Sequence, residues 1–304
     1  MTASLQPRKS TNVRPPASLL WTRRGVSTLS VLAPDAAARA AAHLFFRTRR
    51  VPARREELDV LEGASRFTVP FRGEELAAWS WGTGPTVLLV HGWNGRATQL
   101  GALVSPLVSS GFRVVAFDHV GHGASSGSST TMVEMAAAIA SVARAAGGVH
   151  GLVAHSLGAG ASALAIAEGL ALERVVLIAP PLTPEPWFRR FGGALGLDER
   201  AMKLARAAIE RRVGRTFDDL HLPTLARSLD EPALIIHDRD DREIPIEAGE
   251  LLSYAWQGSR LLVTAGLGHH RILRSPGVVE STRRFLRHAD EDRVRVDPGH
   301  LADQ

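Results

Sequence analysis

No cysteine occurs among the 304 residues. That excludes disulfides, thiolate nucleophiles and zinc–thiolate sites, and it leaves the redox compartment unmarked. No apolar run approaches the ~20 residues needed to cross a bilayer, so no transmembrane span is expected. There is no internal repeat. No carboxylate or cysteine completes a recognisable metal-ligand spacing around the histidines of the loop holding His119 and His122, which read as loop residues together with Ser125. A nucleic-acid reading module is also missing. The net charge of +5 forms no basic stripe: residues 1 to 60 hold eleven Lys/Arg against four Asp/Glu, and the remainder is slightly acidic. Basicity therefore belongs to a leader, and nucleic acid is not expected as a partner.

What is present fits a globular chain. Hydrophobic residues make up 45% and charged residues 22%, enough for one large α/β domain with an insertion. Residues 1 to 18 are rich in Ser, Pro and Arg and are expected to lack fixed structure. Arg23-Arg24 followed by Gly25 to Ala33 is similar to part of a twin-arginine export signal, but Pro34-Asp35 interrupts it. A cytoplasmic location is the expectation. Pro34-Asp35 reads as a helix start, and Ala36 to Arg50 runs without a breaker. Leu44, Phe45 and Phe46 would supply its apolar face, packed on the main domain. The alternative is that Arg47, Arg49, Arg50, Arg54 and Arg55 touch an anionic membrane surface. Residues 289 to 304 form a polar tail.

The most informative segment is Ala154-His155-Ser156-Leu157-Gly158. It follows the apolar run 149 to 153 and opens a run of small residues, 159 to 167. A strand, then small-x-Ser-x-small, then a helix describes a nucleophile elbow. The turn is so tight that the residues two before and two after the serine must be small, and here they are Ala154 and Gly158. The bland reading is a serine that merely caps a helix. What separates the two is whether an acid and a base follow at suitable structural positions.

The strand pattern supplies them. Residues 66–71 and 76–81 read as a hairpin. Six more strands are expected at 86–90, 113–118, 149–154, 174–179, 233–237 and 260–264. Apolar runs alternating with helical segments indicate a mostly parallel sheet covered on both faces. The seventh strand ends in a loop holding Asp238, Asp240 and Asp241. The eighth ends in Gly266-Leu267-Gly268-His269-His270. Ligands bind beyond the carboxyl ends of strands in such sheets, and the order serine, acid, histidine is that of the α/β-hydrolases.

On these blocks, with His91-Gly92-Trp93 and the run 118–125 that begins Asp118-His119-Val120-Gly121, the chain resembles the α/β-hydrolase superfamily, in its esterase and lipase-like branch with a helical cap. The resemblance implies an eight-stranded, mostly parallel sheet with helices on both faces over residues 61 to 288. It implies a cap insertion at 181 to 230. It selects Asp241 over Asp240 as the acid and His269 over His270 as the base, and it places a glycine where this chain has Asp238. By the same resemblance the backbone N–H groups of Trp93 and Leu157 form the oxyanion hole. His91 is implied to be a hydrogen-bonding loop residue, and the Trp93 ring is a candidate pocket wall.

In the insertion, Asp198 reads as a cap for a helix carrying Met202, Ala205, Ile209 and Val213 at helical spacing. Trp187, Phe188 and Phe191 precede it, and they either line an apolar substrate pocket or join the cap to the core. The chemistry that follows is a serine hydrolase acting on a hydrophobic small-molecule ester through acyl-Ser156, with no cofactor. Activity should then fall as His269 takes up a proton at acid pH. Acyl transfer, peptide hydrolysis, a lyase reaction or perhydrolysis on the same triad remain open. So do a ligand-binding role with little turnover, a lipid-surface hydrolase, and the oligomeric state.

Overall fold

The structure, a computed structural model, describes residues 17–287, with side chains from Arg24 onward. Of residues 1 to 18, expected to lack fixed structure, the last two open the helix Ala17–Leu32; the others, and the polar tail, lie outside the described residues. By its internal contacts the chain divides into two units. One joins the helices up to Phe45 with Glu185–Arg212, and the other holds Phe46–Pro184 and the chain from Val213 on.

The larger unit is built on one eight-stranded sheet in the order β1-β2-β4-β3-β5-β6-β7-β8. The strands are β1 (Ser65–Phe71), β2 (Glu74–Trp81), β3 (Thr86–Val90), β4 (Arg113–Phe117), β5 (Gly151–His155), β6 (Arg174–Ile178), β7 (Ala233–Asp238) and β8 (Ser259–Thr264). Strands β1 and β2 pair antiparallel, as do β2 and β4, and every other pairing is parallel.

The central strands are buried on both faces because their alternate residues feed two separate cores. Leu88, Val90, Val115, Phe117, Leu152 and Ala154 face one core, packed on the helices Met132–Ala145 and Leu157–Ala167. Val87, Leu89, Val114, Ala116, Val153 and Val176 face the other, with Leu100, Leu107 and Phe285. Thr131 starts the helix Met132–Ala145 by accepting the Glu134 N–H at 3.0 Å, the arrangement that a Thr-x-x-Glu capping sequence favours. From β3 the chain winds to β4 on one side and later to β5 on the other. The carboxyl ends of β3 and β5 therefore flank the point where the winding reverses, which is where open α/β sheets bind ligands.

The smaller unit contains the helices Ala17–Leu32, Pro34–Phe45 and Glu185–Leu195 and nearly all of Glu199–Val213. Its aromatic contacts join leader to insertion. The Phe45 ring meets Phe188 at 5.9 Å and Phe191 at 5.4 Å, both edge-on. The Ser30 hydroxyl accepts the Asp198 N–H at 2.9 Å. Arg206 reaches both Glu185 and Glu210.

Several boundaries differ from those read in the sequence. The helix from Pro34 ends at Phe45 rather than Arg50, and the unit boundary falls there rather than at residue 60. The reason is that residues 46–50 are extended along the chain between Gly121 and Thr130. The Thr48 N–H donates to the Ser128 carbonyl, the Thr130 N–H donates to the Phe46 carbonyl, and the Arg50 guanidinium binds the carbonyls of Gly123, Ser125 and Gly127. At the other end, Phe217, Leu220, Leu222, Ala226 and Leu229 are buried, and the last four belong to the core of the sheet unit. The stretch from Val213 to residue 230 is thus not part of the helical insertion. Among the described residues no helix is long and apolar enough to cross a membrane.

Glu57, counted with the leader by charge, is buried at 6% exposure. Its carboxylate accepts from Arg96 Nε at 2.7 Å and Arg274 at 2.7 Å, and Arg96 also donates to the Val51 carbonyl. Removing one partner of a buried ion pair leaves uncompensated charge and costs about 3–5 kcal/mol. Glu57→Ala is therefore expected to lower stability in urea by an amount of that order, whereas an exposed change such as Glu56→Ala should shift it little. Equal midpoints for the two variants would contradict this assignment.

Candidate active site

Ser156 lies between the end of β5 and the helix Leu157–Ala167 with φ +55° and ψ −129°. For a residue with a side chain such a conformation costs of order 1–3 kcal/mol and persists only where its surroundings impose it. Here the Ser156 N–H donates to the Ile178 carbonyl at 2.9 Å, and the Ser156 carbonyl accepts the Ala159 N–H at 2.8 Å. Two glycines let the neighbouring loop close in. A Cβ at Gly158 would lie 2.3 Å from the His91 carbonyl oxygen, and one at Gly92 would lie 2.8 Å from the Ser156 Cβ.

Ser156, His269 and Asp241 form one hydrogen-bonded chain. The Ser156 hydroxyl lies 3.0 Å from His269 Nε2, and His269 Nδ1 lies 2.7 Å from Asp241 Oδ2. Asp241 Oδ1 accepts the N–H groups of Glu243 at 2.8 Å and Ile244 at 3.0 Å. Burial pushes the Asp241 carboxyl up, but the bond from His269 and those two N–H groups outweigh it and hold it below the usual carboxylate range. The carboxylate is thus ionised, and an acceptor facing Nδ1 assigns the proton of neutral His269 to that nitrogen. Nε2 is left to accept the serine proton.

The other sequence-derived candidates divide. Leu157 is the first residue of its helix, so its N–H has no intrahelical acceptor. Trp93 is half-buried one residue after Gly92, with its ring 5.7 Å from His122. Trp187, Phe188 and Phe191 belong to the smaller unit, where Phe188 and Phe191 pack on Phe45 as described. Asp240 instead accepts the Gly266 N–H at 2.7 Å, and the exposed His270 lies 3.0 Å from Glu243.

Five buried imidazoles surround the site, and one of them, His237, bonds through Nε2 to the Ile244 carbonyl at 3.0 Å and is lowered by burial. His91 Nδ1–H donates to the Gly92 carbonyl while Nε2 accepts the His119 N–H at 3.0 Å. His122 Nε2 accepts the Asn94 N–H at 2.9 Å while Nδ1–H donates to the Val120 carbonyl. Accepting with one nitrogen requires the neutral ring, and burial lowers His91 to about 4 and His122 to about 3. His155, the variable residue of the elbow, donates from Nε2 to the His269 carbonyl at 2.9 Å, and burial with the neighbouring His269 lowers it to about 3. His119 is held well below the ordinary range by burial beside His91 and His122.

Asp118 accepts the N–H groups of Ala97 and Ala124, each at 2.7 Å, and so ties the loop after β4 to the one after β3. Neither this bond nor that of His155 has a local pattern in the sequence. Each becomes visible only when two distant loops are brought together.

Both features are testable. In the unfolded chain an imidazole binds a proton below about pH 6.5, while folding lowers His91 to about 4 and His122 and His155 to about 3. The unfolded state then holds more protons, so stability falls with pH by up to about 1.4 kcal/mol per unit per histidine between those values. Urea midpoints are expected to drop markedly from pH 7.5 to pH 5.5, and unchanged midpoints would mean that these rings titrate as in free peptides. Gly158→Ala should cost at least about 1–3 kcal/mol by overpacking, because its methyl meets a backbone oxygen, and calorimetry would show the lowered Tm.

Comparison with known proteins agrees with this architecture. Residues 83–294 match the profile of the serine aminopeptidase, S33, hydrolase family. A non-heme haloperoxidase of Rhodococcus erythropolis is 28% identical over 254 residues, which is 67% of this chain and 92% of the relative. An esterase from Rhodococcus sp. ECU1013 superposes with a TM-score of 0.56 at 19% identity, covering 74% of this chain and 98% of its own. A bromoperoxidase from Bacillus anthracis does so with 0.58 at 19% identity, covering 74% and 100%. An eight-stranded sheet with these neighbours is the α/β-hydrolase fold, and the chain belongs to the S33 family of α/β-hydrolases.

Proposed function

We propose that the protein is a serine hydrolase of carboxylic esters that works through an acyl-Ser156 intermediate. The observation that carries this reading is the unbroken hydrogen-bond chain from Asp241 through His269 to Ser156. A serine hydroxyl is a weak nucleophile until a base takes its proton. As Ser156 Oγ attacks the ester carbonyl carbon, its proton passes to His269 Nε2. The resulting imidazolium is stabilised by ionised Asp241. The carbonyl oxygen becomes an oxyanion, for which the N–H groups of Leu157 and Trp93 are the donors, each worth about 10²-fold or more in rate. Collapse expels the alcohol, which takes the proton from His269. Water then attacks the acyl-enzyme with His269 again as base, releasing the acid and restoring Ser156. Every proton and electron pair comes from the triad, the ester or water.

The name of the Rhodococcus erythropolis relative favours one second reading, in which hydrogen peroxide replaces water at the second step and a peracid leaves.

Hydrolysis of p-nitrophenyl esters from acetate to palmitate by wild type and Ser156→Ala tests the proposal. Wild type is expected to turn over at least one ester, and the variant to lose at least about 10³-fold. Folded wild type that cleaves none of these esters would overturn it, and release of p-nitroaniline from aminoacyl anilides alone would favour a peptidase. Peroxide-dependent peracid formation, lost in Ser156→Ala, would establish the second reading.

A further inference from the structure

We propose that Asp238 is a positioning residue: its carboxylate clamps together the loop that carries Asp241 and the loop that carries His269. The inference rests on the hydrolase reading for its functional meaning and on the geometry of the two loops for its content. Asp238 is the last residue of β7 and pairs in register with Thr264, the last residue of β8. Both loops leave the sheet here, with no strand pairing beyond to hold them at a fixed separation.

The Asp238 carboxylate supplies the missing link. Oδ1 accepts the Asp240 N–H at 3.0 Å and the Gly268 N–H at 2.9 Å. Oδ2 accepts the Thr264 hydroxyl at 2.7 Å and the Leu267 N–H at 3.1 Å. One oxygen therefore binds both the residue before the acid and the residue before the base. Beside it, Asp240 reaches the Gly266 N–H, and the Arg239 N–H donates to the Thr264 carbonyl at 2.8 Å.

An ionised carboxylate suits this place because it is an acceptor at every lone pair and four donors converge on it. The side chain is fully buried. Burial alone would push its carboxyl up, but the bonds from Gly268, Thr264, Asp240 and Leu267 together hold it below the usual range. A glycine here would leave the Leu267 and Gly268 N–H groups without this acceptor. An asparagine would turn an NH2 group onto one pair of donors.

The 2.7 Å contact between Asp241 and His269 depends on loop separation to a fraction of an ångström, and a misplacement of about 1 Å costs on the order of 10²-fold in rate. The test compares Asp238→Asn and Asp238→Gly with wild type by three readouts. These are ester kinetics, the rate of Ser156 labelling by a fluorophosphonate, and the downfield proton resonance of His269 Nδ1–H. Both variants are expected to keep KM near that of wild type while kcat and labelling fall by about 10²-fold, with the resonance shifted or broadened. Thr264→Val removes one donor only and should move all three in the same direction by less, which covers the case of an Asp238 variant that does not fold. Variants that lose only Tm, with kcat, labelling and resonance as in wild type, overturn the inference. Wild type that is neither active nor labelled at Ser156 overturns the hydrolase reading instead, and the resonance still reports whether the clamp sets the geometry.

Discussion

The loop after β3 and the turn after β5 meet so closely that neither Gly92 nor Gly158 can carry a side chain. Gly92 faces the Ser156 Cβ and Gly158 faces the His91 carbonyl. That approach lets Ser156 be held at positive φ and places Trp93 one residue after the contact at Gly92. It also explains the composition of the helix that follows. Gly158 through Ile166 are all buried and almost all small, which lets this helix fit between the sheet and Met132–Ala145. The turn at Ser156 and the packing of the central helix thus both depend on one close approach of two loops.

Around that contact the charges are sorted by burial and partner. Imidazoles that serve the scaffold are kept neutral, because a proton would have to enter a low-dielectric interior, and on His91 and His122 it would also remove an acceptor already in use. Asp238 and Asp241 are kept ionised, because several N–H groups converge on each. Asp118 is the exception, with burial pushing it above the usual range although it accepts two N–H groups. His269 lies among these fixed groups with one nitrogen committed to Asp241 and the other facing Ser156.

Much of this was legible in the chain before any coordinates. The apolar runs located all eight strands to within a few residues, and β3 to β7 announce themselves by composition because they are buried on both faces. The elbow was legible because its steric demand falls on adjacent residues, Ala154 and Gly158. Legibility ended where a function is shared between distant segments. Glu57 is one acid among arginines in sequence, and only folding shows it between Arg96 and Arg274. Asp238 occupied a position where resemblance suggested glycine, so its carboxylate read as a departure rather than a fastening. The helix from Pro34 was drawn too long for the same reason: nothing local in residues 46–50 signals that they will lie along residues 121–130.

The Glu57–Arg274 bond spans 217 residues, and the bonds from His155 and Ser156 to His269 span 114 and 113. Loops of that length close slowly relative to local structure. During synthesis the turn at Ser156 and its helix are complete long before His269 has been made. Glu57 and Asp238 meanwhile wait as carboxylates without their C-terminal partners. The segment from Ser259 to Arg287 therefore supplies His269 as well as the final strand and helix, so a chain cut short before Ser259 would hold seven of the eight strands and a Ser156 without its imidazole partner.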